Sequence, residues 1–131
     1  SKLFENRSKL FLNSSYNIFE YKNSYYNFDI NTPVVSKLTT TLGFIYPLSS
    51  KFTISPLLRY YGDKNLLNGT EIGDVLLTDL TLSYRFSKDS KLSFGAKNLF
   101  DQNYYYYGNK TKDEKMLREG RTWFTSFSYD F

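Results

Sequence analysis

The sequence closes with the alternating stretch Arg121-Thr122-Trp123-Phe124-Thr125-Ser126-Phe127-Ser128-Tyr129-Asp130-Phe131. One parity carries the aromatic residues Trp123, Phe127, Tyr129 and Phe131, and the other carries Thr122, Ser126, Ser128 and Asp130. Side chains alternate between two faces along a β-strand, so the stretch predicts a strand with one aromatic face and one hydrophilic face. A soluble domain seldom ends on a residue such as Phe131, because chain termini tend to fray in water.

Aromatic residues make up 20% of the chain, with 13 Tyr, 12 Phe and 1 Trp among its 131 residues. Rings at this density suit β-strands and the two water interfaces of a membrane. The mean hydropathy is -0.50. No run of about 18 apolar residues occurs, which excludes a transmembrane helix. A membrane barrel is compatible with these values, because its strands need only about 9–11 residues and place polar side chains inside.

Cysteine and histidine are both absent from the sequence. The first absence excludes disulfides, thiolate metal sites and cysteine nucleophiles, and the second removes the commonest metal ligand and acid–base residue. We therefore expect a protein that is not an enzyme and that holds no cofactor. The net charge is +4, from 17 basic and 13 acidic residues that are scattered along the chain, so nucleic-acid binding is disfavoured.

Period-2 alternation recurs in six runs, at residues 10–20, 37–46, 51–61, 79–86, 91–100 and 121–131. Short polar turns join the second run to the third and the fourth to the fifth, at residues 47–50 and 87–90. The other connections are long, at residues 21–36, 62–78 and 101–120. Short turns at one end and long loops at the other are typical of outer-membrane barrels. The predicted fold is all-β, an antiparallel up-and-down meander of about six strands that forms part of a transmembrane β-barrel.

Some residues do not fit this alternation. Pro56 falls within the third run, where it cannot donate to a strand ladder, so we expect a bulge or a local irregularity there. The nominally polar faces also carry the apolar residues Phe11, Phe19, Leu57 and Phe124. Either these side chains pack inside the barrel or the assigned register slips locally.

The segment Lys97-Asn98-Leu99-Phe100-Asp101-Gln102-Asn103-Tyr104 resembles the C-terminal part of TonB-dependent outer-membrane receptors. Those proteins carry an Asn-Leu-Phe-Asp/Asn…Tyr segment on the penultimate strand, then a loop, then Gly-Arg at the start of a last strand that ends in Phe. Gly120-Arg121 and Phe131 stand in the matching places, with Glu119 where the family usually has Pro. Pro33 stands where a Pro often precedes a strand of these barrels. The pattern covers residues 1–131, and the motifs cover residues 95–131.

The resemblance implies a barrel of about 22 strands whose lumen is filled by an N-terminal plug domain. Family members take up scarce nutrients across the bacterial outer membrane, most often ferric siderophores, and also cobalamin, haem or sugars. TonB supplies the energy through a segment that precedes the plug. The sequence starts at Ser1 without an initiator Met or a signal peptide. We therefore expect residues 1–131 to be the C-terminal segment of such a barrel, without the plug and the earlier strands.

The resemblance also suggests roles for individual residues. Asn98, Leu99, Phe100, Asp101 and Tyr104 would end the penultimate strand, with Asp101 bonding turn backbone and Tyr104 in the aromatic girdle, and direct ligand contact is the alternative. Phe127, Tyr129 and Phe131 resemble the C-terminal signal that the outer-membrane assembly machinery reads by strand augmentation. The alternative is that Phe131 only anchors the strand at the lipid boundary.

Basic side chains fall on the predicted lumen face, at Lys37, Arg59, Arg85 and Lys97. Lys37 and Arg59 would lie toward the extracellular end, where an anionic ferric chelate would enter. The alternative is ordinary ion pairing inside the lumen, with Asp79 or with carboxylates of the plug. The tyrosines at 104–107 could stack on a catecholate or a sugar ring, or could sit at the outer interface.

Two other functions compete with a transport receptor. The first is a different outer-membrane barrel, such as a pore or an adhesin, although six strands cannot close a conventional barrel of at least about eight. The second is a soluble β-sandwich or lipocalin-like binding protein, in which the apolar parity would face a core and the loops would be shorter.

Overall fold

The computed structural model describes residues 7–18, 36–65, 71–107 and 115–130. Six of the described strands form one antiparallel sheet: β1 (Lys9–Tyr16), β2 (Leu38–Pro47), β3 (Phe52–Tyr61), β6 (Val75–Arg85), β7 (Ser90–Lys97) and β10 (Thr122–Tyr129). Each strand pairs with the next one of this series, so the predicted meander of six strands is confirmed. In the part of the chain that the structure describes, no helix has the length and apolarity of a membrane span.

Two small ribbons lie in the long connections. β4 (Lys64–Asn65) pairs with β5 (Glu71–Ile72), and β8 (Tyr105–Tyr107) pairs with β9 (Lys115–Leu117), both antiparallel. The prediction of plain loops over these connections was therefore wrong for the ribbon residues. The ribbons escape detection by periodicity because two or three residues are too few to establish an alternation.

Three strand boundaries differ from the predicted ones by three or more residues. β1 ends at Tyr16 rather than at residue 20. β6 begins at Val75, four residues before the predicted start, because the adjacent Leu76 and Leu77 hide the alternation. Leu76 is exposed on one face, whereas Leu77 is fully buried on the other. β7 ends at Lys97 rather than at residue 100, because Asn98 has a φ of 50° and leaves the strand conformation. The predictions that involve Phe19, Pro33 and Phe131 lie outside the described residues.

The six-stranded sheet has one apolar face, on which cross-strand partners such as Leu42 and Leu58 share a side. Large exposed side chains on this face come from every strand: Leu10, Leu12, Tyr16, Leu38, Phe52, Leu76, Leu82, Phe94, Trp123, Phe127 and Tyr129. Leu12 is 68% exposed and Phe127 is 63% exposed. The buried hydrophobic residues of the described chain are Ile72, Leu77 and Ala96. The apolar face therefore packs against no core within the described residues.

The two tight turns lie at the same end of the sheet, called here the short-turn end, and are built alike. Ser49 Oγ accepts a hydrogen bond from the Phe52 N–H at 3.1 Å, and Ser87 Oγ accepts one from the Ser90 N–H at 3.1 Å. Where the chain reverses, the ladder of strand hydrogen bonds ends. The serine hydroxyl accepts a hydrogen bond from the backbone N–H three residues later in place of a ladder bond. The other end, from which the long connections leave, is called the long-loop end.

Pro56 interrupts the ladder without shifting it. The β2–β3 pairing runs to Gly43↔Leu57, is broken opposite Pro56, and resumes at Tyr46↔Ile54 in the same register. On its other side, β3 pairs with β6 through Pro56 without a break. The expected irregularity is therefore a local gap on the β2 side rather than a bulge, because proline lacks the N–H that a ladder bond needs.

The apolar residues on the polar face cover glycines. Phe11 lies directly opposite Gly43 and Phe124 directly opposite Gly95 in the strand registers. A Cβ at Gly43 would overlap the Phe11 ring, and a Cβ at Gly95 would lie 2.5 Å from Phe124 Cζ. Leu57 is the partner of Gly43 on its other side. The register therefore does not slip at these positions. Instead, each of the two aromatic rings fills the space that its glycine partner leaves empty.

Candidate functional site

The candidate site lies at the long-loop end on the polar face, where the predicted motif residues form a hydrogen-bonded corner. Asn98 stops β7, and its side chain holds residue 102 twice: Nδ2 donates to the Gln102 carbonyl and Oδ1 accepts from the Gln102 N–H, both at 2.9 Å. Asp101 also has a left-handed φ, of 54°. Asn and Asp adopt this conformation more readily than most residues, which explains these residue types at the corner.

Asp101 fastens the end of the connection between β7 and β10 to its beginning. Its Oδ1 accepts a hydrogen bond from the Arg121 N–H at 2.7 Å. A Cβ at Gly120 would lie 2.6 Å from the same oxygen, so this contact requires glycine there. The Arg121 guanidinium lies over the Trp123 ring, 5.8 Å from its centroid. Asp101 thus bonds backbone, as predicted for a structural role, but that backbone lies 20 residues away instead of in the local turn.

A half-buried ion pair ties the corner to the centre of the sheet. The Arg59 guanidinium donates to Asp79 Oδ1 at 2.8 Å, and the same carboxylate oxygen accepts from the Asn98 N–H at 2.9 Å. One carboxylate thereby joins β3, β6 and the end of β7. Arg59 therefore makes the ion pair with Asp79 that is the alternative to ligand contact, and its role toward a ligand stays a prediction.

A cleft of about 470 Å³ lies at the long-loop end, between the ribbon connections. It is lined by polar-face residues at the strand ends and by residues of both connections, among them Tyr61, Lys64, Asp74, Asn103, Tyr104 and Arg118. The Arg118 N–H donates to the Tyr104 carbonyl at 2.9 Å, and its guanidinium carbon lies 5.8 Å from the Tyr104 ring centroid. The ring face therefore supports a cation at the edge of the cleft.

Two cations meet in this cleft. Burial lowers the pKa of Lys64, and the positive charge of Arg118 lowers it further. The nearby carboxylate of Asp74 accepts a hydrogen bond from the Tyr60 hydroxyl at 3.2 Å. A half-buried ammonium beside a guanidinium favours an anion, because a negative charge there would offset both the desolvation and the repulsion. The tyrosine rings offer flat apolar surfaces for an aromatic group.

The structure brings only some of the sequence-predicted residues to this cleft. Tyr104 lines it, whereas Arg59 is not among the lining residues and lies on β3 two residues before Tyr61, which is. Lys37 and Lys97 lie at the long-loop end of the polar face, where both are exposed and neither has an ion pair with a described residue. Lys64 was missed, because its proximity to Arg118 depends on the strand topology and leaves no spacing in the sequence.

Among the motif's apolar members Leu99 is half-buried, whereas Phe100 and most of the closing strand are exposed. Phe100 is 67% exposed, so it packs little against the rest of the corner. Phe127 and Tyr129 lie on the apolar face of β10, which is the edge strand of the described sheet. An open edge with aromatic side chains is compatible with strand augmentation by another protein, and the assembly role stays a prediction.

Asp101→Ala is expected to loosen this corner. The Arg121 N–H loses its acceptor, at a cost of about 1 kcal/mol for an exposed hydrogen bond, which corresponds to roughly fivefold faster amide exchange at Arg121. Tyr104 and Arg118 would then be less well placed at the cleft. Asp101→Asn, which keeps an acceptor oxygen, is the control and should retain slow exchange. Equal exchange in both variants would contradict the role assigned to Asp101.

Comparisons with known proteins show the fold. No protein-family model and no curated protein matches the sequence. Among solved structures, the ferric enterobactin receptor PfeA of Pseudomonas aeruginosa matches 95% of this chain at 18% identity, with a TM-score of 0.72 over 20% of the receptor. The ferric-catecholate import receptor Fiu of E. coli matches 72% of the chain at 22% identity, with a TM-score of 0.63 over 14% of its length.

A copper transporter, OprC, has the same fold. It matches 74% of the chain at 20% identity, with a TM-score of 0.58 over 18% of its length. All three are TonB-dependent receptors. The chain therefore spans 14 to 20% of the receptors it matches, and it has the fold of a portion of their barrel wall.

Proposed function

We propose that residues 1–131 form part of the barrel wall of an outer-membrane receptor that takes up a scarce nutrient actively, in the form of a ferric siderophore. The observation that carries the proposal is the division of one six-stranded sheet into an exposed apolar face and a polar face with a cationic cleft at the long-loop end. In a barrel, the first face contacts lipid and the second lines the lumen.

The exposed apolar face argues against a soluble β-sandwich. A sandwich would cover this face with a second sheet about 10 Å away, but the apolar residues of all six strands are exposed instead. The two small ribbons lie at the long-loop end and provide no such layer. Contiguous exposed apolar surface of this extent marks contact with a membrane or a partner.

The cleft supports an anionic, aromatic cargo rather than a bare metal cation. Lys64 and Arg118 outnumber Asp74, the carboxylate among the lining residues, so the cleft would favour a negatively charged chelate over a free cation such as copper. Tyr61 and Tyr104 line the same space and suit stacking on catecholate rings. Two of the structurally similar receptors are described as ferric-catecholate and ferric enterobactin receptors.

Localisation and partners follow as parts of the same proposal. The apolar face would contact lipid of the bacterial outer membrane. The edge strand with Phe127 and Tyr129, together with the C-terminal Phe131, would engage the outer-membrane assembly machinery. TonB would act through an N-terminal part encoded ahead of residue 1. The chain itself would bind and guide cargo without catalysing a reaction.

The reading frame and the solubility of the protein test this proposal. An open frame upstream of the Ser1 codon that encodes a plug and further alternating strands would support it. A start codon and signal peptide directly upstream would refute it and favour a small barrel of another kind. Recovery of the protein in detergent but not in water would distinguish the receptor barrel and the other membrane barrel from the soluble binding protein.

Lys64→Gln and Arg118→Gln are each expected to weaken binding of a ferric catecholate by roughly two- to fivefold, the effect of losing one partly exposed charge contact. The measurement is fluorescence quenching or calorimetry on the complete protein in detergent. Lys88→Gln is the matched control, because Lys88 is an exposed lysine at the short-turn end. A loss of affinity in Lys88→Gln as large as in the other two would contradict the assignment of the cleft.

Binding should also depend on pH through Lys64. Its pKa lies below the usual lysine value because of burial and the Arg118 charge, so Lys64 loses its proton at a lower pH than an exposed lysine does. Only the protonated form attracts an anion, and a bound anion raises the pKa again. Affinity is therefore expected to fall as the pH rises through the lowered pKa, with proton uptake on binding. Lys64→Gln should remove this dependence, and its persistence in that variant would place the titrating group elsewhere.

A further inference from the structure

A shallow trough of small, uncharged residues occupies the middle of the polar face. It consists of two adjacent rows on β3, β6 and β7, in which the residues directly oppose one another: Ser55, Thr81 and Gly95 in one row, and Thr53, Ser83 and Ser93 in the other. All six residues are half-buried or buried. By contrast, Lys97 on the long-loop side and Arg85 and Lys91 on the short-turn side are exposed. The trough is therefore recessed between longer, charged side chains.

The chemistry of the trough is weak hydrogen bonding without charge. The Oγ atoms of Ser83 and Ser93 lie 2.8 Å apart and bond to each other across the β6–β7 pairing. Asp79, two residues before Thr81 on β6, is paired with Arg59. Neutral hydroxyl groups exchange their hydrogen bonds with water at little net gain. An anion that contacts the trough is therefore neither repelled nor held at a fixed position.

The trough lies between two cationic cavities of the polar face. The first is the cleft at the long-loop end, described above. The second is a groove of about 550 Å³ at the short-turn end, which the trough residues Thr53 and Ser83 line together with the cations Lys51, Arg85 and Lys91. Cations thus lie at both ends of the trough, whereas the trough itself has none.

We propose that the trough is the path along which the anionic chelate moves from the cleft toward the short-turn end, an inference that rests on the proposed function. Movement along a wall needs contacts that are favourable enough to admit the cargo and weak enough to release it. Small hydroxyl side chains meet both conditions. A charged side chain in the trough would hold or repel the chelate, and a large one would fill its space.

A negative charge placed in the trough should slow uptake and leave binding unchanged. With the complete receptor in cells, Thr81→Glu is expected to reduce the uptake rate of a radiolabelled ferric catecholate about tenfold, because the new carboxylate repels the chelate during its passage. The affinity of the purified protein in detergent should stay within about twofold, because Thr81 does not line the cleft.

Asn13→Glu is the matched control for Thr81→Glu. Asn13 is an exposed residue of the same face on β1, outside the trough, and its substitution adds the same charge. We expect Asn13→Glu to take up the chelate at the unaltered rate. Equal uptake in the two variants would overturn the proposed path. If the unaltered protein itself did not bind the chelate, the proposed function would be refuted, and the path with it.

A charge added after folding keeps the test valid if Thr81→Glu fails to fold. The chain contains no cysteine, so Thr81→Cys adds a single thiol to it. The cysteine thiolate attacks the sulfenyl sulfur of a negatively charged methanethiosulfonate, a disulfide forms, and methanesulfinate leaves. This modification should reduce uptake several-fold, and a neutral reagent of similar size should reduce it less. Neither reagent should change uptake by Asn13→Cys or by the unaltered protein.

Two results of the thiol experiment would overturn the proposal. If no reagent modified Thr81→Cys while the chelate was being taken up, another segment would cover the trough throughout transport. If Thr81→Cys were modified by the negatively charged reagent without loss of uptake, the chelate would pass elsewhere.

Discussion

Gly95→Ala is expected to destabilise the sheet by about 3 kcal/mol, at the upper end of the usual cost of overpacking. A Cβ at residue 95 would lie 2.6 Å from the Leu80 carbonyl oxygen and 2.5 Å from Phe124 Cζ. The ring could move, but the carbonyl belongs to the backbone of β6. The substitution must therefore distort the β6–β7 ladder near the middle of the sheet. The measurement is urea unfolding of the complete protein in detergent, followed by heat-dependent gel mobility.

Gly43→Ala is the matched control for this prediction. Gly43 also lies on the polar face under an aromatic ring, but the three atoms nearest to a Cβ there all belong to the Phe11 ring. Because Phe11 is on edge strand β1 and is partly exposed, its ring can rotate away, and we expect a cost below about 1 kcal/mol.

Two double variants separate ring clashes from backbone clashes. Adding Phe11→Ala to Gly43→Ala should remove the clash between the new Cβ and the ring at residue 43. Adding Phe124→Ala to Gly95→Ala should rescue little, because the Leu80 carbonyl remains in place. If Phe124→Ala fully restored the stability lost in Gly95→Ala, the cost at residue 95 would come from the clash with the Phe124 ring. The difference between Gly95 and Gly43 would then disappear.

These glycines also show how far the sequence alone determines the fold. Alternation predicted the six strands and the two tight turns, because the side-chain period of a strand is visible in one dimension. Alternation could not explain why Phe11 and Phe124 lie on the polar face, because the glycine that each ring covers lies on another strand. The pairing of an aromatic residue with an opposed glycine becomes visible only once the register is known.

The same limit applies to the candidate site. The motif residues from Asn98 to Asp101 and Gly120-Arg121 were identifiable by resemblance, but the bond between Asp101 and the Arg121 backbone was not predicted. The two cations of the cleft come from separate connections, and neither one has a distinctive neighbourhood in the sequence. The sequence therefore predicts the strands. It does not predict which residues of different strands act together across the sheet.

Asp79→Ala is expected to have the second largest effect, a loss of about 2 kcal/mol. The estimate lies between the value for an exposed ion pair, at most about 1 kcal/mol, and the 3–5 kcal/mol for breaking a buried one. The side chains of Arg59 and Asp79 are 26% and 13% exposed, so solvent screens the pair only partly. The substitution removes one acceptor from two donors at once, the Arg59 guanidinium and the Asn98 N–H.

Three measurements distinguish this shared carboxylate from a simple salt bridge. Asp79→Asn keeps an acceptor oxygen, so amide exchange at Asn98 should stay slow while the stability falls by about half as much. Arg59→Met leaves Asp79 bonded to Asn98, and a double-mutant cycle with Asp79→Ala should give a coupling of about 1 kcal/mol. Because Asn98 begins the corner that holds Tyr104 and Arg118, Asp79→Ala should also weaken binding at the cleft. If Asp79→Ala accelerated exchange at Asn98 no more than Arg59→Met did, the carboxylate would serve the ion pair alone and would not position the site.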